Sequence, residues 1–140
     1  LLRIKFDQKL IKFISMFESM TQAEVKDCIE LENMLIFIVA ENQIGKAIGK
    51  EGSNVRRLEN LLKKKVRIIE YNKDIIKFVE NIIYPNKAKE IRQEEKRIMI
   101  VPSDSKSRGF LIGRNATILR SNENIVKRYF EIDEIKIVQG

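Results

Sequence analysis

The chain repeats itself. Gly49 and Gly113 lie 64 residues apart, and the apolar helical pattern that begins near Ile11 begins again near Ile75 at the same offset. The segments Val39 to Ile48 and Val101 to Ile112, which lead from an apolar strand to a glycine loop, differ by only two residues in length. Duplication restricts the fold more than any other feature, because each half must build its own α/β module of about 65–70 residues. Tyr71-Asn72-Lys73 is the junction this predicts, giving modules 1–71 and 72–140. It holds no Gly/Ser-rich linker, so little freedom between the modules is expected.

Hydrophobic periodicity supplies the elements. In the first half, Phe6, Leu10, Phe13, Ile14 and Phe17 follow helical spacing up to Met20-Thr21. Lys26 to Leu31 reads as a strand, Glu32-Asn33 as a turn, and Met34 to Val39 as a buried strand. A short helix is expected over Gln43 to Ile48, then the glycine loop. A basic helix follows, with Ser53 as its cap and Val55, Leu58, Leu61 and Leu62 on one face. Lys63-Lys64-Lys65 closes that helix, and Val66 to Glu70 is the third strand.

In the second half, Ile75, Ile76, Val79, Ile82 and Ile83 form a helix stopped by Pro85. Ala88 to Gln93 and Ile98 to Val101 are strands joined by a turn at Glu94-Glu95-Lys96. A polar stretch, Ser103 to Arg108, leads to the loop Ile112-Gly113-Arg114-Asn115-Ala116. A helix from Thr117 to Phe130 and a strand from Glu134 to Val138 complete the unit. The fold class expected is α/β (α+β), each unit running α-β-β-α-α-β with a three-stranded mixed sheet covered by helices.

Composition narrows the chemistry. Histidine is absent and Cys28 is the one cysteine, which argues against a zinc site and against an intrachain disulfide. Cys28 falls in an apolar strand pattern and reads as a small buried hydrophobe. Carboxylates are plentiful but scattered, so no catalytic constellation stands out and an enzyme is the weakest reading. No apolar run approaches the roughly 18 residues of a membrane helix. Leu1-Leu2-Arg3-Ile4-Lys5 has no signal-peptide layout, and a cytoplasmic location is expected.

The formal net charge is +7. Between Lys46 and Arg67 stand eight basic residues and only two acidic ones, Glu51 and Glu59. Such a cluster suggests a polyanion, usually nucleic acid. Inside it lies Ile44-Gly45-Lys46-Ala47-Ile48-Gly49-Lys50-Glu51-Gly52-Ser53-Asn54-Val55. Two glycines three apart let the backbone turn tightly and let a phosphodiester approach the main chain. The following helix start adds free N–H groups and the positive end of its dipole. Lys46, Lys50 and Arg56 can add charge, while Ile48 and Val55 anchor the loop and can line a groove for bases. A phosphate-loop NTPase does not fit. Gly45 and Gly49 have three residues between them where four are needed, and Glu51 follows Lys50 where a hydroxyl is needed.

The I-G-x-x-G-x-x-V pattern resembles the signature of KH domains, in which the loop clamps about four nucleotides of single-stranded RNA. The helix-first order resembles the type II form of that domain. Two such units in tandem resemble the KH pair of the NusA transcription factor family, on three stretches: Ala47 to Arg56, Lys65 to Tyr71 and Arg128 to Ile135. With 140 residues, the likeness is to the short archaeal form.

The resemblance implies single-stranded RNA binding during transcription, in termination or antitermination, with no cofactor or metal and with RNA polymerase as a further partner. Carried over, Gly49, Lys50, Glu51 and Gly52 form the first clamp, flanked by Lys46, Ile48, Ser53 and Arg56. Gly113, Arg114, Asn115 and Ala116, with Arg120, form the second. Ala116 stands where glycine is expected, so the second unit is expected to bind more weakly. Bases are expected in an apolar groove beside the strand holding Ile36 and Ile38. Two other readings remain open: a ribosomal or ribosome-biogenesis KH protein, and a protein-interaction module docking polymerase.

Overall fold

The computed structural model describes residues 8–139. Phe6 and the opening segment Leu1 to Lys5 lie outside the described residues. The chain divides into two compact units between Tyr71 and Asn72.

The first unit runs α1 (Gln8–Thr21), β1 (Val25–Glu30), β2 (Met34–Val39), α2 (Ile44–Ile48), α3 (Ser53–Leu62) and β3 (Lys65–Glu70), with a single 3-10 turn, Lys50–Gly52, between α2 and α3. Strand β2 is central, antiparallel to β1 and parallel to β3. Its residues Leu35 to Val39 are all buried, which explains an unbroken apolar run where alternation would mark a half-exposed strand. Phe17 of α1 stacks on Phe37 with ring centroids 4.3 Å apart. Around this pair gather Ala23, Cys28, Leu35, Val39, Ala47, Leu58 and Val66. The Thr21 hydroxyl closes α1 by donating to the Phe17 carbonyl at 2.8 Å and accepting from the Ala23 amide at 3.0 Å.

The second unit repeats the order as α4 (Ile75–Ile83), β4 (Ala88–Glu94), β5 (Arg97–Pro102), α5 (Ser105–Ile112), α6 (Thr117–Lys127) and β6 (Glu134–Ile137), with a 3-10 turn at Arg114–Ala116. Strand β5 is central, antiparallel to β4 and parallel to β6. Asp74 caps α4 by accepting the Ile76 amide at 2.9 Å.

The expected element order is observed in both units, with three local corrections. The polar stretch Ser103 to Arg108 is mostly helix, because Asp104 accepts the Ser107 amide at 2.7 Å and starts α5. Helix α6 ends at Lys127, not at Phe130. The chain turns there and brings the rings of Tyr129 and Phe130 to Phe78, at 5.7 and 5.8 Å between centroids. In α3, Leu61 leaves the apolar face and is 58% exposed, while Leu58 is fully buried.

Candidate nucleic-acid interface

In each unit the crossover from the central strand to its parallel neighbour carries a glycine turn between two helices. In the first, α2 ends at Ile48 and the Gly49 amide donates to the Gly45 carbonyl at 3.0 Å. Gly49 then adopts φ 78°, ψ 170°, a region essentially closed to side chains. A Cβ there would lie 2.9 Å from Asn54 Cγ and Nδ2. The Gly52 amide closes the turn on the Gly49 carbonyl at 3.2 Å. Glu51 (φ 55°, ψ 30°) and Gly52 (φ 75°, ψ 16°) are both left-handed.

Helix α3 therefore starts directly after a left-handed glycine, and this corrects the expectation for Ser53. Ser53 is the first helical residue and makes no capping hydrogen bond; Gly52 occupies the cap position. Two side chains brace the turn instead. Arg56 Nη1 donates to the Glu51 carbonyl at 2.6 Å, and Asn54 Nδ2 donates to the Lys46 carbonyl at 3.1 Å.

Lys46, Lys50, Glu51 and Arg56 are exposed, and Ile48, Gly49, Gly52, Ser53 and Val55 are half-buried around them. The Glu51 carboxylate would repel a phosphate, so only its backbone fits the role expected of it. The cluster of eight cations is not uniformly turned to solvent. Lys64 pairs with Glu30 at 2.8 Å and donates to the Leu31 carbonyl at 3.2 Å. Together with Lys9, it holds the Glu30 carboxyl below the usual carboxylate range. Arg67 lies partly buried in β3, and that burial pushes its pKa down. Lys46 and Lys50 have no ion pair among the described residues and stand beside the turn.

The second turn has the same backbone. Gly113 adopts φ 76°, ψ 172°, Asn115 φ 57°, ψ 31° and Ala116 φ 60°, ψ 23°. The Ala116 amide closes it on the Gly113 carbonyl at 3.2 Å. Arg114 and Asn115 are exposed, whereas Gly113 and Ala116 are half-buried. Arg120, the counterpart of Arg56, is engaged differently: its Nη1 pairs with the buried Glu123 carboxylate at 2.7 Å. That carboxylate also accepts the Ile135 amide at 2.8 Å, which ties α6 to β6. Glu59 binds the Val66 amide in the first unit at 2.9 Å.

Ile36 and Ile38, on the strand beside which a groove is expected, do not themselves line it. Both side chains are sealed, at 1% and 0% exposure, and cannot receive a base. Their position on a central strand buried on both faces is the reason. Ile48 and Val55, half-buried beside the glycine turn, remain as apolar surface at the site. Three residues that flank the turns were not singled out from the sequence: Asn54, and in the second unit Phe110 and Ile118. Shifting the chain by 64 places Lys46 on Phe110 and Asn54 on Ile118, and that comparison was the signal that could have found them.

Among the described residues no cluster of three or more His, Cys, Asp or Glu could hold a metal ion, and no helix is long and apolar enough to cross a membrane.

Comparison with known proteins places the fold. The KH domain family model matches residues 13–95. The chain is 32% identical over 142 aligned residues to the "Probable transcription termination protein NusA" of Methanococcus vannielii, covering 99% of this chain and 82% of that protein. The protein of the same name from Methanocaldococcus jannaschii is 31% identical, covering 97% and 76%. The crystal structure of APE1850 superposes with a TM-score of 0.75 at 26% identity, covering 95% of this chain and all of that one. With its two glycine turns on two helix-first units, the chain belongs to the KH domain family and, within it, to the archaeal NusA-like proteins.

Proposed function

We propose that this chain is a single-stranded RNA-binding protein that acts in transcription termination or antitermination; its relatives carry the name of probable transcription termination proteins. Each unit is taken as one KH domain, 1–71 and 72–140. The observation that carries the reading is the Gly49–Gly52 turn. Its two glycines leave the main chain open to a phosphodiester, and it delivers that backbone to the start of α3 beside Lys46 and Lys50. Phosphates sit on the turn and its lysines, and bases lie against Ile48 and Val55. Gly113 to Ala116 forms a second, weaker clamp, since the Ala116 methyl stands where the first turn has Gly52 and narrows the approach of a phosphate. The role is binding, without catalysis.

A fluorescence titration with a randomised single-stranded RNA pool and duplex controls tests this. Single strands should bind at least about tenfold more tightly than duplex. If the site neutralises about four phosphates, affinity should fall with salt at a log–log slope of roughly −3. A preference for duplex, or a slope near zero, overturns the reading.

A further inference from the structure

Chemistry, not backbone geometry, separates the second turn from the first. In both units the second residue of the helix after the turn leans over the first glycine. In the first unit that residue is Asn54, 2.9 Å from the position of a Cβ on Gly49. In the second it is Ile118, whose Cγ1 lies 2.7 Å from the corresponding point on Gly113. Asn54 uses its amide to hold the Lys46 carbonyl. Ile118 has no donor to offer, and Phe110 stands at the position of Lys46.

Both apolar side chains are left in the open, Phe110 at 52% and Ile118 at 43% exposure. Neither is needed for the core of this unit, since Leu111 and Leu119, their immediate neighbours in sequence, supply the buried contacts. Phe110 and Ile118 stand at the positions of Lys46 and Asn54, which meet at 3.1 Å across the first turn, so the matching backbone of the second turn brings their positions together. The pair is flanked by cations. Arg108 and Arg114 are exposed on either side of Phe110 in sequence, and neither has an ion pair among the described residues.

We infer that Phe110 and Ile118 form a platform for an unpaired nucleobase, so that the second turn grips RNA by its base where the first grips it by phosphate. The inference rests on the RNA-binding reading above. An exposed aromatic face with exposed arginines close by in the chain suits a base attached to a phosphodiester, because the ring stacks on any base and the cations take the adjoining phosphates. A purely apolar protein segment would leave Arg108 and Arg114 without a counter-charge. The Ala116 methyl is compatible with this arrangement, because a turn that receives a base does not need a bare glycine at its last position for phosphate approach.

The test measures affinity of the full chain for a short single-stranded RNA of mixed sequence and for the same backbone carrying abasic sites. Phe110→Ala should weaken binding of the intact strand at least about fivefold. It should leave the abasic strand unchanged, and Phe110→Tyr should restore the intact-strand affinity. Phe110 is exposed, so these variants are expected to keep the wild-type unfolding midpoint, which is recorded alongside. Lys50→Asp serves as the control for the parent reading. Where Lys50→Asp weakens both strands and Phe110→Ala weakens neither, RNA binding stands and the base platform is overturned. Equal losses on intact and abasic strands also overturn it. A wild-type chain that binds neither strand removes the RNA reading and this inference with it.

Discussion

The two glycine turns share a backbone and almost nothing else. Gly49 and Gly113 agree within a few degrees in both dihedrals, and so do Glu51 and Asn115. Their surroundings diverge. Lys46, Asn54 and Arg57 of the first unit correspond to Phe110, Ile118 and Ser121 of the second, and Arg56, which braces a carbonyl, corresponds to Arg120, which is tied to a buried carboxylate. The turn is therefore a requirement of the crossover between a central strand and its parallel neighbour. What each turn can bind is decided by side chains that the fold leaves unconstrained.

If the backbone is the common requirement, the largest effect of mutation should be the same in both units. Gly49→Ala and Gly113→Ala each force a Cβ into a conformation that only glycine adopts easily, and into contact under 3.0 Å with the side chain above. Each should lower stability by about 2–3 kcal/mol, read from urea unfolding. A loss confined to one unit would break the equivalence.

The next effect should be unequal. Lys50→Asp and Arg114→Asp reverse matched, exposed charges without disturbing either turn. The first should lower affinity for single-stranded RNA about tenfold and the second no more than about threefold, since the Ala116 methyl keeps a phosphate further from the second turn. Equal losses would show that the two turns grip the backbone alike, and would overturn the asymmetry.

Much of this architecture is legible in the sequence, because periodicity and the 64-residue offset report directly on which residues face a core. Met34 to Val39 reads as a strand since its six apolar residues admit little else at that length. The misreadings share one physical cause: they required knowing which groups meet in space. Ser53 looks like a cap by type, but a left-handed Gly52 already occupies that position. Ile36 and Ile38 mark the strand beside which a groove is expected, yet both side chains are buried. Ser103 to Arg108 lacks an apolar stripe, so its helix shows only through the cap at Asp104. Lys64 counts as a cation in any local tally, and only the fold reveals that Glu30 engages it.

A smaller effect concerns the position where the turns differ by one methyl. Gly52 and Ala116 are both left-handed, a conformation that costs an L-residue about 1–2 kcal/mol. Gly52→Ala should therefore destabilise by about 1 kcal/mol. Its Cβ would meet nothing closer than Arg56 Nη1 at 3.4 Å, so no steric loss adds to this. Ala116→Gly should stabilise by less, about 0.5 kcal/mol or below, because glycine also loosens the unfolded chain. Destabilisation by Ala116→Gly would mean that the methyl makes a favourable contact in the second turn, and the two turns would then differ in packing as well as in surface chemistry.

The smallest effect separates the helices that lead into the turns. Asp104 caps α5, whereas Gln43, at the same place before α2, makes no capping bond. The backbone N–H of Ser107, and then its hydroxyl, hold the Asp104 carboxyl below the ordinary aspartate range. A carboxyl whose folded pKa is depressed contributes stability that is fully present above its unfolded value and is lost as pH falls through the folded value. Acid should therefore loosen the start of α5 below the ordinary aspartate range and leave the start of α2 without a matching transition. Glu30 of the first unit and Glu94 of the second are also depressed, so a global melting curve would mix the three groups. The measurement must be local: the amide shift of Ser107 followed by NMR should titrate with a midpoint below the usual aspartate value, and that of Lys46 should not follow it. A Ser107 midpoint at or above that value would remove the cap, and with it the explanation for why a stretch so poor in apolar residues is helical.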